Sequence, residues 1–157
     1  MRLEVSFIVA IQDLEVVHYE PVLMEFEHQR NVLSKVQDAR NYPGKISAQK
    51  LDEMQETAIK AVQSFGSDGV FAVEMFFDYT TSSHYVNEIA PRVHNSGHHT
   101  LDSHDISQFE MHARIVLGLK IAPPKKIREY VMRNILAPEH LVTGKKYRIE
   151  NPYGVLP

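Results

Sequence analysis

A β-hairpin with one carboxylate in each of its strands is the feature that most constrains the fold of this chain. The segment Gly69–Phe77 is a compact apolar strand interrupted by a single acid, Glu74. After a polar turn, the segment His84–Ile89 has the composition of its partner strand. The pair predicts an antiparallel sheet.

Further strands and a first helix follow from the same kind of pattern. Apolar residues recur at steps of three and four after Ser47, which is the predicted N-cap of a helix ending near Phe65, and Gly66 supplies its C-terminal stop. Strands are predicted at residues 3–11, near 16–24 and at 130–136, and loops at 25–43 and 91–103.

A second helix begins at a capping box formed by Ser107 and Glu110. Gly118 and the prolines that follow it end this helix. Its predicted apolar stripe consists of Phe109, Ala113, Val116 and Leu117. The sum of these elements is an α+β fold in which helices flank an antiparallel sheet.

The composition is that of a soluble globular protein, and it excludes several classes of function. Of the 157 residues, 43% are hydrophobic and 24% are charged. A formal charge of −3 argues against nucleic acid as a partner, because phosphate binding favours a basic excess. With no cysteine there is no disulfide framework or thiolate zinc site, and a cytoplasmic location is expected. No apolar run is long enough to cross a membrane, so no membrane partner is expected.

Two acids of the hairpin are the first candidates for chemistry. A symmetric hairpin with a five-residue loop at 79–83 places Asp78 opposite His84 and Glu74 opposite Glu88. Like charges directly opposed across two strands repel, and a divalent cation between them removes the repulsion. Oxygen ligands on rigid strands suit Mg²⁺ bound to substrate phosphates. The alternative is that both acids lie on a solvated face in a different register.

The run that follows Glu88 is rich in hydrogen-bond donors. It carries an arginine, whose planar guanidinium can bind phosphate or carboxylate in bidentate fashion, and a histidine that can donate to an anion or move a proton. Gly97 allows the backbone to approach a ligand closely. The candidate residues are Asn87, Arg92, His94, Asn95 and Ser96. The alternative is a polar loop whose side chains cap their own backbone.

A zinc site is the competing interpretation of the histidines in this region. The five in question are His94, His98, His99, His104 and His112. No His-Glu-x-x-His motif is present, and the residues between His94 and His98 form a poor helix, so zinc is disfavoured. His112 lies beside the apolar stripe and is predicted to be a packing residue. No phosphate-binding glycine loop of the usual kinds is present either.

The run Asn-Glu-Ile-Ala-Pro-Arg-Val-His-Asn-Ser-Gly-His at 87–98 resembles the carboxyaminoimidazole ribonucleotide synthases, ATP-grasp enzymes of purine biosynthesis also described as the ATPase subunit of phosphoribosylaminoimidazole carboxylase. The resemblance extends from Leu3 to about Leu136. It includes Glu4-Val5-Ser6, His28, Ala39-Arg40, the strand from Gly69 to Glu74, Ser107-Gln108-Phe109-Glu110 and Leu117-Gly118-Leu119.

The resemblance implies a reaction and a set of roles. ATP and bicarbonate would give carboxyphosphate, and the carboxyl group would pass to the amine of aminoimidazole ribonucleotide. Glu4 would hold the ATP ribose, with His28 near the nucleotide and Asn87 beside the phosphates. Glu74 and Glu88 would hold Mg²⁺. The bicarbonate and ribonucleotide would face Arg92, His94, Asn95 and Ser96, with Arg92 and His94 as the catalytic pair.

The resemblance also implies that the chain is the C-terminal part of such an enzyme. Residues 1–122 would be the C-terminal subdomain of the ATP-grasp fold, and residues 123–157 the start of a small C-terminal β domain. The isolated chain is expected to be inactive, because the family's lid and phosphate-contacting lysines lie upstream. A homodimer or a complementing N-terminal fragment would be its protein partner. The alternatives are a non-catalytic binding module and another ATP-grasp ligase.

Overall fold

The computed structural model describes residues 2–27, 32–42 and 46–135. A 3₁₀ turn at Asn95–Gly97 precedes the second helix. The described strands and α-helices, in chain order, are β1 (Arg2–Gln12), β2 (Glu15–His18), β3 (Val22–Glu27), β4 (Val32–Asp38), α1 (Ala48–Gln63), β5 (Gly69–Asp78), β6 (Ser83–Ala90), α2 (Thr100–Ser103), α3 (Gln108–Val116) and β7 (Val131–Arg133).

The seven described strands form one antiparallel sheet. Six of them follow the order β6–β5–β1–β3–β4–β7, and β2 pairs with the end of β1. The long central pair, β1 with β5, is in register from Arg2↔Asp78 to Ile11↔Gly69. The predicted antiparallel sheet with flanking helices is therefore confirmed.

The two faces of the sheet bury separate cores, because side chains along a strand alternate between faces. On one face, Val5, Phe7 and Val9 of β1 pack with the buried residues of α1, which include Leu51 and Met54. On the other face, the core unites Ile8, Ala10, Val70, Ala72, Met111 and Ile121. Because Glu4, Ser6 and Glu74 share the parity of this second set, they lie on the face that α3 covers.

The prediction of a loop at 25–43 and of one strand near 16–24 is wrong. Two strands, β2 and β3, replace the single one, because Pro21, which lies between them, has no N–H for a ladder. A fourth strand, β4, pairs with β3, and Lys35 there forms a cross-strand ion pair with Glu25 at 2.9 Å. A bulge between Glu25 and Phe26 breaks the two-residue alternation that identifies strands in a sequence.

The predicted hairpin register is right at the acids and wrong at the turn. Asp78 pairs with Ser83, not with His84, because the connection has four residues rather than five. A bulge next to Glu74 then shifts the register by one residue, so Glu74 does pair with Glu88. Asn87 is the residue that the bulge leaves without a partner across the hairpin.

The predicted apolar stripe of α3 is wrong, although its N-cap is confirmed. The Ser107 hydroxyl accepts from the Glu110 N–H, as the capping box requires. The buried residues of α3 are nevertheless Gln108 and Met111, while Val116 and Leu117 are each 70% exposed. The first residue of the buried stripe is the polar Gln108, so the stripe is not recognisable as an apolar pattern in the sequence.

The chain beyond residue 122 is described only in part. The predicted strand at 130–136 is present as β7, which pairs with β4 at the edge of the same sheet. Residues 136–157 lie outside the described residues. The division into domains at 1–122 and 123–157 stays a prediction. Within the described ranges, no helix is long and apolar enough to cross a membrane.

Candidate active site

Acidic and hydroxyl side chains form a row across β1, β5 and β6, the three consecutive strands at one edge of the sheet. This acid row consists of Glu4, Ser6, Glu74 and Glu88. Ser6 pairs with Glu74 in the β1–β5 ladder, and Glu74 pairs with Glu88 in the β5–β6 ladder. Glu4 lies two residues before Ser6 on the same face. Burial raises the pKa of Glu74, and the nearby charges of Glu88 and Glu4 raise it further. Burial also raises the pKa of Glu4.

The acid row fits a divalent cation that is bound together with a ligand. Two opposed carboxylates whose charges disfavour each other are relieved by a cation, and hard oxygen donors suit Mg²⁺. Among the described residues, no group of three or more His, Asp or Glu side chains is arranged to hold a metal by itself. Such a cation would therefore need further oxygen ligands, as Mg²⁺ does when it binds substrate phosphates.

His94 connects the donor-rich loop to the acid row. Its Nε2 lies 3.7 Å from Glu74 Oε1, and both side chains are 15% exposed. On the other side of the ring, Nδ1 lies 3.0 Å from Ser96 Oγ and accepts from the Ser96 N–H at 3.4 Å. Burial lowers the pKa of His94, and the Arg92 charge lowers it further, whereas Glu88 raises it.

A buried glutamine fixes the backbone of His94. The His94 N–H donates to Gln108 Oε1 at 3.0 Å, and Gln108 Nε2 donates to the His94 carbonyl at 2.7 Å. Gln108 is completely buried, and its own N–H donates to Thr100 Oγ1 at 2.9 Å. The loop and α3 are thereby joined at His94.

Gly97 is required by the close approach of this glutamine. A Cβ added at Gly97 would lie 2.6 Å from Gln108 Oε1, far inside normal contact distance. The glycine expected to bring the backbone near a ligand thus brings it near Gln108. The Thr100 hydroxyl, which donates to the Gly97 carbonyl at 2.6 Å, closes the same turn.

The other predicted residues are distributed around this centre. Arg92 is exposed at the start of the loop, where its Nη1 donates to the Val93 carbonyl at 3.0 Å. Asn87 is exposed at the bulge beside Glu88. Asn95 presents a buried Oδ1 that has no hydrogen-bond partner. His28 lies outside the described residues.

The remaining histidines do not assemble a metal site within the described part of the chain. His99 and His104 bind the Ser103 hydroxyl through their Nδ1 atoms at 3.0 and 2.8 Å, and His104 Nε2 lies 2.7 Å from Glu20. His98 packs on the Phe109 ring. The prediction that His112 packs in the core is wrong, because its side chain is exposed.

Two residues that touch the site were not predicted from the residue pattern, Ser6 and Gln108. Ser6 lies in an apolar strand, where its hydroxyl gives no sign of a partner ninety residues away, Ser96. For Gln108 a signal did exist. Positions 108, 111 and 115 have helical spacing, and a polar residue at the head of a buried stripe needs partners.

A comparison of the sequence with families of known proteins gives a match to the ATP-grasp domain over residues 1–109. Among curated proteins, those named N5-carboxyaminoimidazole ribonucleotide synthase from Staphylococcus aureus and Staphylococcus haemolyticus are 36% and 38% identical to this chain. Each alignment covers 87% of this chain and 34% of the relative. The chain therefore spans about a third of the length of these relatives.

Solved structures agree with the sequence comparison. The N5-carboxyaminoimidazole synthase of Aspergillus clavatus, in complex with ADP and 5-aminoimidazole ribonucleotide, has a TM-score of 0.78 and 35% identity, over 87% of this chain and 36% of that one. The Staphylococcus aureus enzyme complexed with ADP has a TM-score of 0.74 and 33% identity, over 85% of this chain and 35% of that one. Both confirm the predicted ATP-grasp fold.

Proposed function

This chain belongs to the ATP-grasp family, and from that premise we propose that it is part of a ligase that uses ATP and bicarbonate to carboxylate aminoimidazole ribonucleotide. The observation that carries the proposal is the 3.7 Å approach of His94 to Glu74, which brings the donor loop to the carboxylate pair. Its relatives are named for this synthesis. Activation of bicarbonate by ATP needs phosphate-metal chemistry and anion recognition side by side.

In the proposed mechanism, the chain's residues bind and orient the reactants around the acid row. Glu4 accepts hydrogen bonds from the ATP ribose, and Asn87 lies beside the phosphates. Glu74 and Glu88 hold Mg²⁺, which neutralises phosphate charge when bound. Arg92 binds bicarbonate, or the carboxyphosphate made from it, through its planar guanidinium.

In this proposal, the loop that follows Arg92 binds the ribonucleotide. Asn95 is half-buried in this loop, and its side-chain amide is the group proposed to face the ribonucleotide. Ser96 is completely buried and contacts the His94 ring, so it supports that ring rather than facing solvent. Arg92 and His94 are the proposed catalytic pair, because they face the anion whose carboxyl group is transferred.

The remaining parts of the proposal concern partners and location. Because the chain spans about a third of its relatives, the lid and lysines that contact phosphates would come from the rest of such an enzyme or from a complementing fragment. A homodimer and a cytoplasmic location belong to the proposal as well. A non-catalytic binding module and another ATP-grasp ligase are the alternatives.

A chimera tests the proposed reaction. The corresponding third of the Staphylococcus aureus relative is replaced by this chain, and phosphate release is measured with ATP, bicarbonate and aminoimidazole ribonucleotide. We expect turnover of about 1 to 10³ s⁻¹ for the chimera and none for the 157-residue chain by itself. Arg92→Lys in the chimera should lower kcat/KM about ten- to a hundredfold, because lysine loses the bidentate hydrogen bonds.

Three results would contradict parts of the proposal. A folded chimera that binds Mg-ATP without ribonucleotide-dependent turnover favours the non-catalytic module. Turnover that follows another amine or acid favours a different ligase. If Arg92→Lys instead weakens Mg-ATP binding with kcat unchanged, Arg92 belongs to the nucleotide and not to the carboxyl donor.

The acid pair can be tested in the chain itself. Glu74→Gln and Glu88→Gln should leave the metal-free fold as stable or more stable by about 0.2–1 kcal/mol, since each removes a cross-strand repulsion. The raised pKa of Glu74 supports this expectation, because it shows that the ionised carboxylate is disfavoured in the folded state. The affinity for Mg²⁺ with ATP should fall in both variants. Thermal melts with and without Mg²⁺ and ATP measure both effects.

Glu25→Gln is the matched control for the acid pair. Glu25 is also a strand acid, but it pairs with Lys35 at 2.9 Å, so its removal should cost up to about 1 kcal/mol and leave the metal response unchanged. A large loss of metal-free stability in both site variants, with an unchanged response to Mg²⁺, would exclude a shared cation at Glu74 and Glu88.

A further inference from the structure

Hydrogen bonds to Nδ1 of the His94 ring restrict where the proton of that ring can lie. We propose that Ser6 and Ser96 are positioning residues that hold neutral His94 with its proton on Nε2, so that His94 offers a hydrogen-bond donor, not a base, to the anionic substrate. The identity of that anion rests on the proposed function. The tautomer itself is a property of this chain.

The Nδ1 side of the ring is occupied by donors. The Ser96 backbone N–H points at Nδ1 at 3.4 Å, and a backbone amide can only donate. Ser96 Oγ lies 3.0 Å from the same atom. A proton on Nδ1 would face the Ser96 N–H directly, so Nδ1 is the lone-pair nitrogen and the Ser96 hydroxyl donates to it as well.

Ser6 fixes the direction of that hydroxyl. Its Oγ lies 2.7 Å from Ser96 Oγ, and both serines are completely buried. Once the Ser96 hydroxyl donates to His94, its oxygen accepts from Ser6. The three residues then form one directed chain, Ser6 to Ser96 to His94 Nδ1. Ser6 stands on β1 and the other two on the loop, so the sheet fixes the orientation of the ring.

The Nε2 side of the ring is compatible with a proton. Nε2 lies 3.7 Å from Glu74 Oε1, and a carboxyl oxygen can accept from an N–H that faces it. The contacts of Nδ1 therefore assign the tautomer, and the surroundings of Nε2 leave room for the proton.

This tautomer decides what His94 can do for the proposed reaction. Bicarbonate and carboxyphosphate carry anionic oxygens, and a positioned N–H stabilises such charge. A neutral ring protonated at Nε2 has no lone pair at that position to accept the proton of the ribonucleotide amine. His94 thus binds and orients the carboxyl donor.

The tautomer is measurable by NMR in the chain as it stands. Long-range ¹H–¹⁵N correlation of the ¹⁵N-labelled protein at about pH 8, above the usual pKa of histidine, separates protonated from lone-pair ring nitrogens. His94→Gln assigns the signals. We expect Nε2 of His94 to appear as the protonated nitrogen. In Ser96→Ala the Nδ1 resonance should move downfield as it loses a hydrogen bond, and Ser6→Ala should move it less in the same direction.

Ser103→Ala is the matched control. Ser103 is a buried serine that contacts His99 and His104 through their Nδ1 atoms, so its removal should move their signals and leave those of His94 in place. A wild-type ring protonated on Nδ1 overturns the proposal. An unchanged Nδ1 signal in Ser6→Ala, confirmed as folded by its amide spectrum, removes Ser6 from the positioning role. These NMR measurements use the chain without a nucleotide. They would therefore stand even if the chimera failed to carboxylate aminoimidazole ribonucleotide.

Discussion

Replacing Gln108 with leucine should destabilise the chain by about 2–5 kcal/mol. The variant removes both partners of the His94 backbone, and a buried donor or acceptor left without a partner costs about 1–3 kcal/mol. Gln108 is completely buried and donates to the His94 carbonyl at 2.7 Å, so water cannot readily take its place. Urea unfolding followed by circular dichroism measures the loss.

A double-mutant cycle with Gly97 shows whether the cost arises at this contact. Gly97→Ala should cost about 1–3 kcal/mol through overpacking, since its Cβ would lie 2.6 Å from Gln108 Oε1. In a Gln108→Ala background the same methyl group gains room, so its cost should largely disappear. Additive losses would show that Gly97 and Gln108 act independently. Gln63→Leu, at an exposed position of α1, should change stability little.

The sequence predicts the existence of the hairpin because its signals are local. Apolar composition predicts β5. The pairing of Glu74 with Glu88 is also predicted correctly, although the turn is one residue shorter than expected. That success depends on two deviations that cancel. A connection shorter by one residue shifts the register, and the bulge at Asn87 shifts it back. A bulge has no distinct signal in a single sequence.

The supports of His94 could not be predicted, because each is a contact between distant segments. Ser6 and Ser96 are ninety residues apart, and neither hydroxyl reveals its partner until β1 and the loop meet. The donor loop itself was visible because its polar residues are consecutive. The residue pattern thus predicts which residues face the reactants, and the fold shows which residues contact His94.

The last expected result concerns acid, and it follows from a second buried histidine, His99. Its side chain is 5% exposed and stacks on the Tyr130 ring at a centroid distance of 3.9 Å. Burial, together with the charges of His104 and His98, lowers the pKa of His99 from 6.5 to about 3, and Asp38 opposes part of this shift. The folded state therefore resists a proton that the unfolded state accepts.

The sign of the pH dependence follows from that difference. As the pH falls below 6.5, the unfolded chain binds a proton at His99 while the folded chain does not, until the pH approaches 3. Stability is then lost at about 1.4 kcal/mol per pH unit, or about 2 kcal/mol between pH 6.5 and pH 5. Carboxylates add their own pH dependence, so the effect of His99 must be isolated by comparison with a variant.

His99→Phe supplies that comparison, because phenylalanine keeps a ring against Tyr130 and cannot be protonated. Chemical unfolding at several pH values should show wild type losing about 2 kcal/mol more than His99→Phe between pH 6.5 and pH 5. His112→Gln, at an exposed position of α3, should follow wild type throughout. Parallel stability curves for wild type and His99→Phe would mean that His99 accepts its proton in the folded state, and the stacked ring would then have to open to solvent before the chain unfolds.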